Sequence, residues 1–202
     1  AMIHYVDPAG NMTAIVLGEF GNEKRVELAK QILQQEKAEQ VGFEVPPVNG
    51  GDCRLEMMGG EFCGNAVRAF AYLKASEQHS GGRHAVKVEI SGAANPVMAN
   101  VDLSAGLAFV QMPKPLGVEE VLVKDTMRPV VHMEGIDHVI MEGVDADEEL
   151  AEDALRAMGK WQPNACGILF LKGDEMTPVV YVRSTESLIW ESSCGSGSVA
   201  CA

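Results

Sequence analysis

Two short stretches of this chain carry the same order of residue types, Gly60-Glu61-Phe62-Cys63-Gly64-Asn65-Ala66-Val67 and Trp190-Glu191-Ser192-Ser193-Cys194-Gly195-Ser196-Gly197. In each, a Cys-Gly step, a polar residue and a small residue open a segment that predicts a helix. The two cysteines lie 131 residues apart. Two matching elements at this distance predict an internal repeat with one site element in each half.

Strand and helix patterns alternate outward from both stretches. The first half predicts strands at 2–6, 12–17, 41–45, 53–57, 85–90, 96–103 and 107–111, with helices at 24–35 and 62–76. The second half predicts strands at 121–124, 128–133, 138–141, 167–171 and 178–182, with helices at 148–158 and from Cys194 onward, and a turn-rich stretch leads to residues 188–190. The Met-Pro-Lys-Pro segment at 112–115 predicts the linker between them. We therefore expect an α/β (α+β) protein with domains at 1–113 and 114–202.

Composition excludes several classes of protein. The 202 residues are 47% hydrophobic and 22% charged, and 16 basic residues face 29 acidic ones, for a net charge of −13. This charge repels phosphate and disfavours nucleic acid or an anionic membrane as a partner. The chain has no apolar run near the ~20 residues of a membrane span and no visible secretory signal, which predicts a cytoplasmic protein. Five scattered cysteines predict reduced thiols, and five histidines at no zinc spacing predict no metal site.

The chemistry follows from placing thiols at helix starts. Free backbone N–H groups and the helix dipole are expected to lower the thiol pKa of Cys63 and Cys194. The same N–H groups, beside small glycines, form a cradle for a small carboxylate. If the two halves face each other, one thiolate removes a proton from a carbon next to the carboxylate, and the opposite thiol returns one to the other face. The expected reaction is inversion of configuration without a cofactor.

These residues resemble a known family. Residues 62–66 and 193–197 are similar to the two catalytic motifs of the diaminopimelate epimerases, a family of pyridoxal-independent amino-acid racemases, and residues 10–12 resemble its early Gly-Asn turn. The residues around both cysteines resemble still more closely the histidine racemase branch that serves opine-metallophore synthesis. The resemblance implies two pseudo-symmetric domains, each a curved mixed sheet around a central helix, with the site in the cleft between them.

The resemblance also implies roles for individual residues. Cys63 and Cys194 are the implied acid/base pair, and the implied substrate-binding residues are Asn11, Gly64, Asn65, Glu191, Gly195 and Ser196. Either Glu186 or Glu191 stands in for a family acid before the second cysteine. The expected partners are a small amino-acid substrate and a second copy of the chain in a homodimer. Histidine and diaminopimelate are both open as substrates.

Other functions stay open at this stage. A thiol peroxidase or redox switch also needs a reactive cysteine, although it calls for a resolving partner rather than two carboxylate cradles. A non-catalytic amino-acid-binding module and a double-bond isomerase of an unsaturated carboxylate are further alternatives. The remaining cysteines, Cys53, Cys166 and Cys201, lie in apolar segments and are interpreted as structural.

The two halves differ in length after their cysteines. Forty-eight residues run from Cys63 to Gln111, whereas eight follow Cys194. Because the second sheet would otherwise lack the strands that the first has after its helix, we expect the second domain to be incomplete here and the native protein to be longer.

Overall fold

Thirteen strands form two separate sheets in the computed structural model, which describes residues 2–161 and 163–202. The first sheet runs in chain order: β1 (Met2–Val6), β2 (Thr13–Leu17), β3 (Gln40–Val45), β4 (Cys53–Met57), β5 (Arg83–Ile90), β6 (Val97–Asp102) and β7 (Leu107–Val110). The second has the order β13-β12-β11-β10-β9-β8, with β8 (Gly117–Val123), β9 (Thr126–Met133), β10 (Ile136–Glu142), β11 (Ala165–Lys172), β12 (Glu175–Val182) and β13 (Ser187–Trp190).

Each sheet has one helix on each face. In the first sheet, α1 (Asn22–Gln34) follows β2, and α2 (Gly64–Gln78) follows β4; in the second, α3 (Glu148–Met158) follows β10, and α4 (Gly195–Cys201) follows β13. The strands that flank α1, α2 and α3 pair in parallel, as crossover helices require. This mixed α+β architecture of two curved sheets confirms the predicted fold class, while the boundary between 113 and 114 stays a prediction.

Apolar burial explains why the sheets curve around these helices. Helix α2 is Ala-rich on the face that packs against the first sheet and buries Val67 and Phe70 completely. Helix α3 buries Ala151, Ala154 and Met158 against the second sheet. Small residues let each helix approach its sheet closely, and the large side chains then fill the space between them.

Most element boundaries differ by a few residues from those expected, and two of these differences have a clear physical reason. Helix α2 begins at Gly64 and not at residue 62, because Cys63 has extended backbone angles, φ −137° and ψ 108°, and caps the helix. Strand β8 begins at Gly117 and not at residue 121, because its pairing with β9 continues to His132. The added part of β8 is exposed, so no apolar alternation marks it in the sequence.

A buried carboxylate fixes the loop between β3 and β4. Glu89 is 2% exposed and accepts hydrogen bonds from the main-chain N–H groups of Val48, Asn49 and Gly51, and from Arg54 at 3.1 Å. Despite burial, which acts in the opposite direction, these donors lower the pKa of Glu89 to about 2. The carboxylate therefore stabilises the fold in its charged form.

Replacing Glu89 by glutamine should lower the melting temperature at neutral pH, because an amide cannot accept from all these donors. The folded-state pKa lies below the unfolded value, so the stabilisation is present above about pH 4.5 and is lost as the pH falls toward 2. Thermal unfolding at several pH values measures this. The variant should lose most of the wild-type pH dependence in that range, whereas Glu19→Gln, on an exposed loop, should not. Equal acid sensitivity of E89Q and wild type would contradict the assignment.

No helix in the described part of the chain is both long enough and apolar enough to cross a membrane.

Candidate active site

Cys63 lies at the start of α2 on the first sheet. Its Sγ accepts a hydrogen bond from the N–H of Ala66 at 3.3 Å, which is the position of a helix-capping side chain. The thiol donates to Oε1 of Gln40 at 2.7 Å. Phe62, 1% exposed, anchors the preceding residue in the core. One donor and one acceptor thus hold the thiol in a fixed position at the edge of the core of its own domain.

Cys194 has the corresponding position on the second sheet. Its Sγ accepts from the N–H of Gly197 at 3.3 Å and lies 3.6 Å from the hydroxyl of Ser196. Ser196 in turn hydrogen-bonds to Nε2 of His138 at 2.8 Å. His138 lies on β10 and is completely buried, so the second thiol is linked to an internal imidazole through one hydroxyl.

The two helix starts meet at their glycines. A Cβ built on Gly195 would lie 3.9 Å from the Cα of Gly64, and one built on Gly64 would lie 2.6 Å from Sδ of Met112. The second distance is shorter than any normal Cβ contact, so a larger residue at position 64 would have to displace Met112. Glycine at these positions lets the N-termini of α2 and α4 approach each other.

Asn65 connects the two halves directly. Its Nδ2 donates to Oγ of Ser193 at 3.1 Å and to Oδ1 of Asn11 at 3.1 Å. Its Oδ1 accepts from Arg68 at 2.8 Å. Asn65 therefore holds Asn11 and the loop before Cys194 in place.

Asn11 is completely buried, and both polar atoms of its side chain form hydrogen bonds. Its Nδ2 donates to Oε2 of Glu39 at 2.7 Å, and its Oδ1 also accepts from Gln40. The positive φ angles of the preceding turn fall on Ala9 and Gly10, at 59° and 88°. Asn11 is thus not required for the turn conformation, and its hydrogen bonds account for its position.

Glu39 joins the first half to the loop before the second cysteine. Its carboxylate accepts from the N–H of Ser192 at 3.1 Å and from the hydroxyl of Ser192 at 2.8 Å. These bonds lie beside the cleft and fix the position of the neighbouring Glu191.

The predicted residues line one small cavity between the sheets. Its walls include both thiols and the predicted residues Asn11, Gly64, Glu191, Gly195 and Ser196. Asn65 contacts Asn11 and lines a neighbouring groove of about 360 Å³ together with Gly64, Cys194 and Gly195. The volume of the small cavity, about 20 Å³, holds roughly one water molecule. The site is therefore closed in this structure.

The expectation of a lowered thiol pKa is wrong for this closed site. Burial raises the pKa of Cys194 to about 12 and that of Cys63 well above its usual value, and the charge of Glu191 raises both further. The N–H groups of Gly197 and Ala66 act in the opposite direction but are outweighed. Helix starts lower a thiol pKa only where the surroundings leave the thiolate solvated or paired with a cation.

The pKa values of the carboxyl groups in the cavity are raised as well. Burial raises the pKa of Glu61 to about 7, and burial with the charges of Glu39 and Glu61 raises that of Glu191 well above its usual value. Burial lowers the pKa of His138 to about 4, so this imidazole is neutral at pH 7. The closed site thus favours uncharged forms of its titratable groups.

Three polar residues at this site were not predicted from the sequence. Gln40 contacts Cys63 and Asn11, Glu61 lines the cavity, and His138 contacts Ser196. Of these three residues, only Gln40 could have been placed at the site from a pattern in the sequence. Strands β2 and β3 pair in parallel with Thr13 opposite Gln40, so a sequence model with that pairing would have put Gln40 beside Asn11.

The other cysteines lie elsewhere. Cys53 and Cys166 are buried within strands, and burial raises the pKa of each to about 12, while Cys201 is partly buried near the end of α4. In the described part of the chain, no three His, Cys, Asp or Glu side chains are grouped so as to hold a metal ion.

The chain matches a known protein family over nearly its whole length. Residues 3–202 match the family described as the histidine racemase CntK N-terminal domain. A histidine racemase of Fusobacterium nucleatum subsp. nucleatum is 34% identical over 209 residues, covering 96% of this chain and 77% of the relative. A histidine racemase of Staphylococcus aureus (strain Mu50) is 27% identical over 205 residues, covering 95% and 74%.

A solved structure shares the fold at low sequence identity. It is described as a predicted epimerase from Pseudomonas aeruginosa, with a TM-score of 0.60 and 12% identity, covering 96% of this chain and 75% of that one. The resemblance to the histidine racemase branch is thus confirmed, while the wider resemblance to diaminopimelate epimerases stays a prediction. The chain belongs to the histidine racemase CntK N-terminal domain family and is an isomerase of the racemase type.

Proposed function

We propose that this chain racemises histidine by a two-base mechanism, with Cys63 and Cys194 on opposite faces of the substrate Cα and without a cofactor. The observation that carries the proposal is that two capping thiols, one from each sheet, line a single cavity. The choice of histidine is supported by the relatives described as histidine racemases.

The two helix starts supply the electrostatic part of this mechanism. The first N–H groups of α2 and α4 have no acceptor within their own helices. In the proposal, those at Gly64, Gly195 and Ser196 bind the substrate α-carboxylate, with Asn11 and Asn65 beside it. Loss of the Cα proton moves an electron pair toward this carboxylate. Preorganised donors that face the developing charge lower the barrier most in a site closed to water.

The hydrogen bonds of the thiols support an order for the proton transfers. Cys63 donates to an amide oxygen of Gln40, which favours its thiol form, whereas Cys194 accepts from the N–H of Gly197 and lies 3.6 Å from the hydroxyl of Ser196. Both thiols are protonated in the closed free enzyme, and we assign Cys194 as the base and Cys63 as the acid once the site has opened and Cys194 has lost its proton to solvent. Cys194 thiolate takes the Cα proton, Cys63 gives its proton to the opposite face, and the reverse reaction starts from the exchanged pair.

Substrate binding must open the site. A cavity of about 20 Å³ does not hold an amino acid. The two halves contact each other through hydrogen bonds, including Asn65 to Ser193 and Glu39 to Ser192, and through packing of Met58 against the second sheet. We propose that these contacts break and re-form as the halves separate and close, so that chemistry occurs away from water.

Chiral chromatography after incubation with single stereoisomers tests the substrate. We expect L-histidine and D-histidine each to give an equal mixture of both forms, because racemisation leaves no free-energy difference between enantiomers. Diaminopimelate stereoisomers should be unchanged. Conversion of diaminopimelate with no conversion of histidine would contradict the proposed substrate, and conversion of neither would contradict the proposed function.

A further inference from the structure

We infer that Glu61 and Glu191 form a carboxyl pair that binds the cationic group of the amino-acid substrate and releases a shared proton as it does so. This inference rests on the proposed racemase function, because it assigns a specificity-determining role within the same cavity. Glu61 precedes Cys63 by two residues, and both acids line the cavity that the thiols share.

The carboxyl group of Glu61 is held in place. It is 3% exposed, and its Oε2 accepts from the N–H of Gly59 at 2.8 Å. Its main-chain oxygen accepts from the hydroxyl of Ser91 at 2.8 Å, and Gly92 packs directly against the peptide that joins it to Phe62. The carboxyl group therefore has a fixed position at the cavity wall.

The surroundings offer the pair no permanent counter-charge. The walls of the cavity contain no lysine, arginine or histidine among the described residues. The cation nearest in the hydrogen-bond network, Arg68, donates to the amide oxygen of Asn65 and not to either carboxylate. Ionising two neighbouring buried acids without a cation costs much free energy. One proton therefore stays bound and takes the place of the missing positive charge.

The titratable groups that face the pair strengthen this effect. They are Cys63, Cys194 and Glu39, all of them acids. A charge on Glu61 raises the pKa of Glu191 and of Cys63, and Glu39 acts on Glu191 in the same direction. The two carboxyls therefore titrate as a coupled pair that keeps at least one proton near neutral pH.

A bound cation replaces that proton. When the positively charged group of an amino acid enters, both carboxylates ionise against it and the proton leaves to solvent, with no covalent bond to carbon made or broken. The net charge at the pair is then unchanged, because one positive charge has replaced another. The pair thus selects amino acids whose cationic group reaches it, and it couples binding to pH.

Glu61→Gln tests the pair, since its amide oxygen keeps the Gly59 bond but cannot ionise. Calorimetric titration with L-histidine at pH 7, in buffers of different ionisation enthalpy, counts the protons released. We expect E61Q to release up to about one proton fewer than wild type. Its KM for histidine should rise at least about tenfold, with a larger change in KM than in kcat. Glu61→Asp should recover part of the affinity.

Controls separate this role from a structural one. Glu19→Gln, on an exposed loop, should keep the wild-type proton count and KM. Thermal unfolding should show that E61Q is folded. If wild type racemises histidine and E61Q matches it in proton release and in the pH profile of KM, the carboxyl pair is wrong and the racemase function stands. If wild type does not racemise histidine, both are wrong.

Discussion

Serine at either position 63 or position 194 should abolish racemisation, with a loss in kcat of at least about 10³-fold for each variant. A hydroxyl is a far weaker acid than a thiol and cannot supply the base on one face or the acid on the other. Because the two groups act as a unit, the double variant should be no slower than either single one. Steady-state racemisation followed by polarimetry measures the loss.

Cys201→Ser is the matched control. Cys201 is a partly buried cysteine near the end of α4, the helix that Cys194 caps, and does not line the cavity. Its variant should keep the wild-type rate within about threefold, because substitutions away from a site usually change little. Substantial racemisation by C63S or C194S would show that a single base, or another group, performs the inversion.

The second large effect is expected at Gly92, where the two halves meet behind Cys63. A Cβ at Gly92 would lie 2.4 Å from the main-chain nitrogen of Phe62 and 3.0 Å from the Cα of Gly135. Both contacts are with backbone, which cannot move aside as a side chain does. Gly92→Ala should lower kcat/KM at least about 100-fold, because displacement by about 1 Å near a reacting group has that effect. The free energy of unfolding should fall by about 3 kcal/mol or more.

Gly143 offers a control with the same backbone angle. Its φ is +76°, equal to that of Gly92, but a Cβ there would contact nothing within 4 Å. Gly143→Ala should therefore show only the cost of strain, about 1 kcal/mol, with activity kept. Denaturant unfolding and racemisation rates of both variants separate strain from displacement. Equal effects at the two glycines would mean that the contact behind Cys63 does not position the thiol.

Local patterns predicted the elements well because burial imposes a period on the chain. The apolar stripes of α1 and α3 and the apolar run of β11 each mark a buried face. The Cys-Gly steps predicted both helix starts, and the repeat predicted two related halves. Exposed ends such as the first part of β8 were missed, since pairing with a neighbour and not apolar alternation defines them.

The candidate site could be predicted only where one segment carries the chemistry. Cys63, Cys194 and the residues that follow them are local features. The pairing of β2 with β3 places Gln40 near Asn11, but Gln40 contacts Cys63 across 23 residues and His138 contacts Ser196 across 58, so these two contacts depend on the packed structure. The predicted lowering of the thiol pKa was wrong for a related reason. The helix start is a local effect, whereas burial and the charge of Glu191 depend on the packed structure.

The isotope content of histidine recovered from deuterium oxide tests the two-base mechanism most directly. Starting from L-histidine, the mechanism predicts that each D-histidine formed early carries deuterium at Cα, while the remaining L-histidine keeps its original hydrogen. This follows because one thiol removes the proton on one face and a solvent-exchanged thiol delivers deuterium on the other. Early D-histidine that keeps its hydrogen, or equal deuterium in both enantiomers, would contradict opposed action by Cys63 and Cys194.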